Sequence, residues 1–134
     1  MILKNKVIVI TGASQGFGRA LAKALKQGRA HVVISGNDKE NLEKTAKELS
    51  VDHFLADVTL FEDVKNLGAY VVEKYKKIDF WINNAGIQIA PSLVEEVDVK
   101  ALHHLFEVNF FGYFYGARKP CGNSGDICSV RKYN

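Results

Sequence analysis

Three glycines crowd one short turn of this chain, Thr11-Gly12-Ala13-Ser14-Gln15-Gly16-Phe17-Gly18. Directly before it stands the unbroken β-branched run Val7 to Ile10, which reads as a strand buried on both faces. From Gly16 onward Phe17, Ala20, Leu21, Ala24 and Leu25 fall at helical spacing, so a helix follows. A glycine turn between a strand and a helix is suited to holding an anion. Unpaired backbone N–H groups and the positive end of the helix dipole converge there, and glycines let a pyrophosphate come close. The same letters also suit a turn that only packs strand tightly against helix. The spacing departs from the G-x-G-x-x-G fingerprint, with three residues between the first two glycines and one between the last two.

Other residues have types that suggest a site, each with a plain structural use beside it. Asp57-Val58 follows a third strand-like segment and Asn83-Asn84-Ala85-Gly86 a fourth. Asp57 can also end a strand or bond the following turn, and asparagines form turns because they tolerate left-handed backbone. Phe17 can be core. Gly36-Asn37 stands at the tip of the second strand, where an acidic residue would bond a ribose 2′-hydroxyl. Asp38 is either that acid or the cap of the next helix. Asn109 places a polar amide on an apolar helical stripe of Leu102, Leu105, Phe106, Tyr113 and Ala117. His103 and His104 point about 100° apart on a helix, so they cannot share a metal as i, i+4 histidines would, and they read as helix-surface residues. Cys121 and Cys128 have no histidines at zinc-like spacing and read as reduced thiols. No metal site is expected.

The elements that must hold these residues alternate. Strands are expected at Val7 to Ile10, His31 to Ser35, His53 to Ala56 and Ile78 to Asn83, with Ile127 to Val130 as one more short strand. Between them run a helix from Gly16 ended by Gly28, and a second from near Asp38 with Leu42, Ala46 and Leu49 inward. A third follows the Thr59-x-x-Glu62 capping box and carries Val64, Leu67, Val71 and Tyr75. A long helix from near Asp98 to about Arg118 comes last, where Gly112 and Gly116 let another backbone approach. Strands alternating with helices imply right-handed crossovers and a doubly wound parallel sheet in three layers. The chain of 134 residues, 47% hydrophobic and 25% charged, has room for about one domain. Its 18 basic and 15 acidic side chains are interspersed, and the net charge is +3, so neither nucleic acid nor membrane is an expected partner. The start Met1-Ile2-Leu3-Lys4 lacks signal-peptide features and no run approaches the roughly 18 apolar residues of a membrane span. The expected compartment is the cytoplasm.

Taken in order, the glycine turn, Asp57-Val58 and Asn83-Asn84-Ala85-Gly86 resemble the short-chain dehydrogenase/reductase family, from about Lys6 to Gly116. That resemblance implies an α/β Rossmann-like fold, truncated after about four to five strands in this sequence. Residues 1–118 would form an incomplete dinucleotide-binding domain and 119–134 an irregular tail holding a remnant of the fifth strand. It implies a nicotinamide dinucleotide as cofactor, with hydride passing between the nicotinamide and a carbonyl or alcohol carbon of a small substrate. By resemblance Gly12, Ser14, Gln15, Gly16, Phe17 and Gly18 cradle the pyrophosphate, Phe17 replacing a more usual aliphatic residue. Asp57 meets the adenine amino group, Val58 lies beside the adenine, Asn84, Ala85 and Gly86 line the adenine-ribose side, and Asn37 stands at the ribose. Neither Gly36 nor Asn37 is acidic, so NADP is expected over NAD, although the Arg that NADP-preferring members place beside such a Gly is also missing.

In this family an Asn, a Ser, a Tyr and a Lys carry the chemistry, the Lys drawing the Tyr down from its ordinary pKa of about 10 so that it can exchange a proton. Asn109 matches the Asn that organises a proton-relay water by bending its helix. Gly125-Asp126-Ile127-Cys128-Ser129 resembles a shortened form of the strand that ends in the catalytic Ser, which makes Ser129 the candidate. After Asn109, Tyr-x-x-x-Lys occurs only as Tyr115 to Lys119, six residues on and ahead of any serine strand, a placement unlike the catalytic pair. Two functions remain open. One is a reductase that lost its C-terminal half and is catalytically impaired, with a strand edge at Phe80 to Ile82 prone to aggregate. The other is a non-enzymatic dinucleotide-binding module that dimerises or docks on a partner through the Asn109 helix face. Phosphotransfer is not expected, since no Gly-Lys-Ser/Thr follows the glycine turn.

Overall fold

The computed structural model describes residues 2–118 and 129–130. Strands β1 (Val7–Ile10), β2 (His31–Gly36), β3 (Asp52–Leu55), β4 (Phe80–Ile82) and β5 (Ser129–Val130) alternate with helices α1 (Gly16–Gln27), α2 (Lys39–Leu49) and α3 (Phe61–Tyr75). Helices α4 (Val99–Phe106) and α5 (Gly112–Ala117) follow β4 and are joined by a wide π-helical turn, Glu107–Phe111. All strand pairs are parallel, in the order β3-β2-β1-β4-β5. The chain winds outward from β1 through β2 to β3 and returns to pair β4 on the other side of β1. Between β1 and β4 the crossovers change direction, and in such sheets the ligand crevice opens at the strands' carboxyl ends there.

The β-branched strands are buried because both faces are covered. Val7 and Val9 join Val33, Val64, Leu67, Val71 and Trp81 in one core, while Ile8 and Ile10 join Ala22, Ile34, Leu42 and Ala46 in the other. Alternate residues of β1 feed opposite layers, the period of two that any strand imposes. At the opposite end of the sheet from the crevice, Asp79 clamps β1 to β4. It accepts the Val7 N–H at 2.8 Å and bonds Lys77 at 2.8 Å and Lys6 at 3.2 Å. Burial alone would raise its carboxyl, but these partners outweigh that and hold it below the ordinary carboxylate value.

Several local expectations change. The Thr59-x-x-Glu62 capping box does not form: Leu60 is the N-cap of α3, the Thr59 hydroxyl donates to Asp57 at 2.7 Å, and Asp63 accepts the Asp57 N–H at 2.9 Å. Hydrogen bonds among Asp57, Thr59 and Asp63 take the place of the box. Helix α1 is turned from the expected stripe: Gly18 and Ala22 are buried with Leu21 and Leu25 half-buried, whereas Phe17, Ala20 and Ala24 are exposed. Asp38 is the N-cap of α2, its two oxygens accepting from the Asn41 N–H at 3.1 Å and the Asn41 side-chain amide at 2.8 Å. Of the expected tail, Ser129–Val130 pairs with Phe80 and Trp81, and the rest, with Cys121 and Cys128, lies outside the described residues. Among the described residues no helix is long and apolar enough to cross a membrane.

Candidate functional site

Thr11 stitches the glycine turn to the loop after β4. Its buried hydroxyl oxygen accepts the N–H groups of Asn84 at 3.1 Å and Ala85 at 3.2 Å. In return the Asn84 side-chain amide donates to the carbonyls of Thr11 at 3.1 Å and Gly12 at 2.9 Å. The two segments therefore touch backbone to backbone. Gly12 has φ +63°, and a Cβ there would sit 2.5 Å from Ala85 Cα. A Cβ on Gly18 would collide with the Asn84 amide and lie 2.6 Å from the Gly12 carbonyl. That approach turns α1 so that Gly18 faces inward and Phe17, one residue earlier, stands 74% exposed over the crevice.

The crevice is a cleft of about 390 Å³ at the carboxyl ends of the strands. Its first wall is the start of α1. Gln15, the N-cap, makes no side-chain cap bond, and no acidic residue stands in the first turn, so the helix's first N–H groups and its positive dipole end meet no side-chain acceptor. Gly16 has φ +57° with nothing within 4 Å of where a Cβ would stand. This arrangement fits an anionic group. At the second wall Gly36 and Asn37 close the tip of β2, while Asp38 is occupied as a helix cap. In the third, Asp57 accepts the Thr59 N–H at 2.9 Å and hydroxyl at 2.7 Å through one oxygen while the residue still lines the cleft. Turn former and cleft residue are thus the same residue. Val58 beside it is pinned by the closely packed Gly112, where a Cβ would come 2.9 Å from Val58 Cγ2.

The structure gathers Gly12, Ser14, Gln15, Gly16, Phe17, Gly18, Asn37, Asp57, Val58, Asn84, Ala85 and Gly86 around this single cleft. Phe17 is not core. Asn109 sits in the π-helical turn behind the loop: its side-chain amide donates to the Ile87 carbonyl at 2.8 Å and accepts the Ile87 N–H at 2.8 Å. Asn83 points away from the cleft, accepting from the Trp81 indole at 3.0 Å and donating to the Tyr113 carbonyl at 3.4 Å. The backbone of Ser129 lies beside Phe80 in the sheet; its side chain is outside the described residues. Gly36, Ala56, Ile87, His104 and Val108 also line the cleft; the sequence places Gly36 at the tip of β2 and His104 on a helix surface, and gives no site role to Ala56, Ile87 or Val108. The available signal for His104 and Val108 was their separation of four residues, which puts them on one helix face just before Asn109.

Gly12 to Gly16 also spells Gly-x-Ser-x-Gly, the letters of a nucleophile elbow. The geometry opposes that chemistry. An elbow concentrates backbone strain at the serine, but here positive φ falls on Gly12 and Gly16, and among the described residues no histidine hydrogen-bonds Ser14.

Comparison with known proteins agrees with this reading of the fold. A family model described as short chain dehydrogenase matches residues 6–127. An uncharacterized oxidoreductase of Staphylococcus saprophyticus is 35% identical over 119 residues, covering 84% of this chain and 50% of its own length. The L-fucose dehydrogenase of Bos taurus is 32% identical over 134 residues, covering 94% of this chain and 50% of its own. Among solved structures, a 3-ketoacyl-(acyl-carrier-protein) reductase from Brucella melitensis complexed with NADH superposes with a TM-score of 0.83 at 35% identity, covering 87% of this chain and 49% of that one. The chain thus spans about half the length of the relatives it matches. With a parallel sheet of this strand order, a glycine turn at its switch point and a family match over nearly its whole length, the chain belongs to the short-chain dehydrogenase family of oxidoreductases.

Proposed function

We propose that this chain binds a nicotinamide dinucleotide in the cleft between the glycine turn and the Asn84 to Ile87 loop, as the cofactor-holding part of an oxidoreductase acting on a small carbonyl or alcohol in the cytoplasm. One observation carries the reading: an uncapped helix N-terminus with no acid in its first turn opens onto a glycine-lined cleft of about 390 Å³. NADH in the Brucella reductase supports it by likeness. When bound, the nicotinamide supplies the hydride chemistry. The chain's own residues do the holding: the α1 N–H groups take the pyrophosphate, Asp57 and Val58 the adenine, Asn84 to Gly86 the adenine-ribose side, and Asn37 the ribose. Asn109 keeps the Ile87 backbone in place and stands for the relay asparagine, with Ser129 as the substrate-polarising hydroxyl. No Tyr-x-x-x-Lys stands beyond a serine strand in these 134 residues, so the chain by itself is expected to bind without turning substrate over.

NADP is the preferred form in this proposal. Asp38, the nearest acid to the tip of β2, has both oxygens engaged by Asn41, so no free carboxylate faces a 2′-phosphate from that position. Fluorescence titration of the purified chain with NADPH and NADH tests both statements. Binding of both, tighter for NADPH, is expected; binding of neither would overturn the site, and tighter NADH would overturn the preference.

A second reading, self-association, rests on the outer face of the helical segment that runs from α4 through the π-helical turn to α5. Phe106, Phe110, Phe111 and Phe114 are 53%, 59%, 44% and 49% exposed there. A run of exposed aromatics of this kind marks an interaction surface, and a second copy through the Asn109 helix is the proposed occupant. Sedimentation showing a dimer in the native chain and a monomer in Phe110→Glu is the expected result; a monomeric native chain would dismiss it.

A further inference from the structure

Of the two ionisable side chains that line the cleft among the described residues, His104 makes none of the proposed dinucleotide contacts. His104 lines the cleft from α4, its imidazole Nδ1 3.5 Å from Glu107 at the start of the π-helical turn that follows. Gly112, Val108 and His104 follow one another at intervals of four residues, so they share a helix face. Gly112 sits against Val58, and Val108 is buried in the same core as Val58. The next turn of that face brings His104 to the cleft beyond them. Among the described residues lining the cleft only Asp57 and His104 are ionisable, and neither the glycine turn, the β2 tip nor the Asn84 to Ile87 loop contributes a lysine or arginine. The cleft therefore holds one carboxylate and a single side chain able to carry positive charge, around a ligand that carries at least two negative ones.

We propose that His104 belongs to the dinucleotide site and that its protonated imidazole tightens the hold on the cofactor. This inference rests on the dinucleotide reading of the cleft. A positive charge at that place in the wall attracts an anionic ligand, so binding is expected to strengthen as the solution is acidified. Glu107, three residues on in the π-helical turn, gives the charged ring a partner, and Asp57, in the loop before α3, is the opposing anion in the cleft. A unit charge near the ligand in a partly solvated cleft is worth a change of roughly threefold to tenfold in affinity.

The test is titration of the 134-residue chain with NADH and with NADPH, followed by dinucleotide fluorescence at about pH 6 and about pH 8. The native chain should bind roughly threefold to tenfold more tightly at the lower pH. His104→Gln should bind at both values as the native chain does at the higher one, and His104→Arg should bind tightly at both. His103→Gln serves as the control for helix-surface charge and should keep the native pattern. His104 is largely exposed, so these variants are expected to fold, and a melting curve of each checks that. If His104→Gln retains the native pH difference, or His104→Arg weakens binding at the higher pH, the role of His104 is wrong while the cleft assignment stands. Failure of the native chain to bind either dinucleotide at either pH overturns both.

Discussion

Asn109 and Ile87 exchange two hydrogen bonds, each 2.8 Å long, so that one side-chain amide satisfies both backbone groups of a residue 22 positions away. The amide acts as a detached piece of β-ladder. It sits in the π-helical turn between α4 and α5 and holds the loop that forms one wall of the cleft. Replacing it with an apolar side chain leaves two partly buried backbone groups unpaired. Asn109→Leu is expected to lose about 2–4 kcal/mol of stability, measured by urea unfolding. A loss within about 0.5 kcal/mol of the native chain, the range of an ordinary surface change, would show that the pair does not hold the loop.

Thr11 offers a sharper comparison because two replacements separate shape from hydrogen bonding. Its hydroxyl oxygen accepts the N–H groups of Asn84 and Ala85. Thr11→Val keeps the shape and strands both donors, which should cost about 2–3 kcal/mol. Thr11→Ser keeps the acceptor and should cost about 1 kcal/mol or less. Equal losses in thermal unfolding would mean that packing, not acceptance, matters there.

Gly12 and Gly16 both have positive φ, +63° and +57°, but only Gly12 lacks room for a side chain. Gly12→Ala adds a clash with Ala85 to an unfavourable backbone conformation and should cost about 2–4 kcal/mol. Gly16→Ala meets no neighbour, so its cost should be about 1–2 kcal/mol. Its methyl would project into the cleft, and dinucleotide affinity should fall at least tenfold on fluorescence titration. Unchanged affinity in Gly16→Ala would remove that glycine from the binding site.

Asp79 provides a dependence on pH with a definite sign. Its partners hold the folded-state carboxyl below its ordinary value. The stabilisation is therefore fully present above the unfolded pKa of about 3.9 and is lost as pH falls through the lower folded value. Asp79→Asn should destabilise the chain by about 1–2 kcal/mol at neutral pH and by progressively less below about pH 4. Melting temperatures of the two chains that run parallel down to about pH 2 would contradict the assignment.

Much of the architecture was legible along the chain because it depends on neighbours in sequence. Val7 to Ile10 could be read as a strand covered on both sides, and it is. Asp38 was one of two things, and its capping of α2 follows from the nearby Asn41 N–H. Two helical features differ from what the letters imply. The helical spacing of Phe17, Ala20, Leu21 and Ala24 is real, yet the neighbouring set Gly18, Leu21, Ala22 and Leu25 fits the same period. Helical periodicity alone does not choose between them. A box of letters at Thr59 and Glu62 gave way to bonds among Asp57, Thr59 and Asp63, because three acceptors and hydroxyls compete within seven residues.

The order of strands and helices, the glycine turn and the family to which they belong followed from the amino-acid sequence, since hydrophobic period and turn chemistry act over a few residues at a time. The orientation of α1, the exposure of Phe17 over the cleft and the presence of His104 in its wall were decided only in the folded chain. Each depends on a close approach between distant segments: Gly18 against Asn84, and the helix bearing Val108 and Gly112 against Val58. Steric exclusion at such contacts turns a helix about its axis, and no spacing within the helix itself records that rotation.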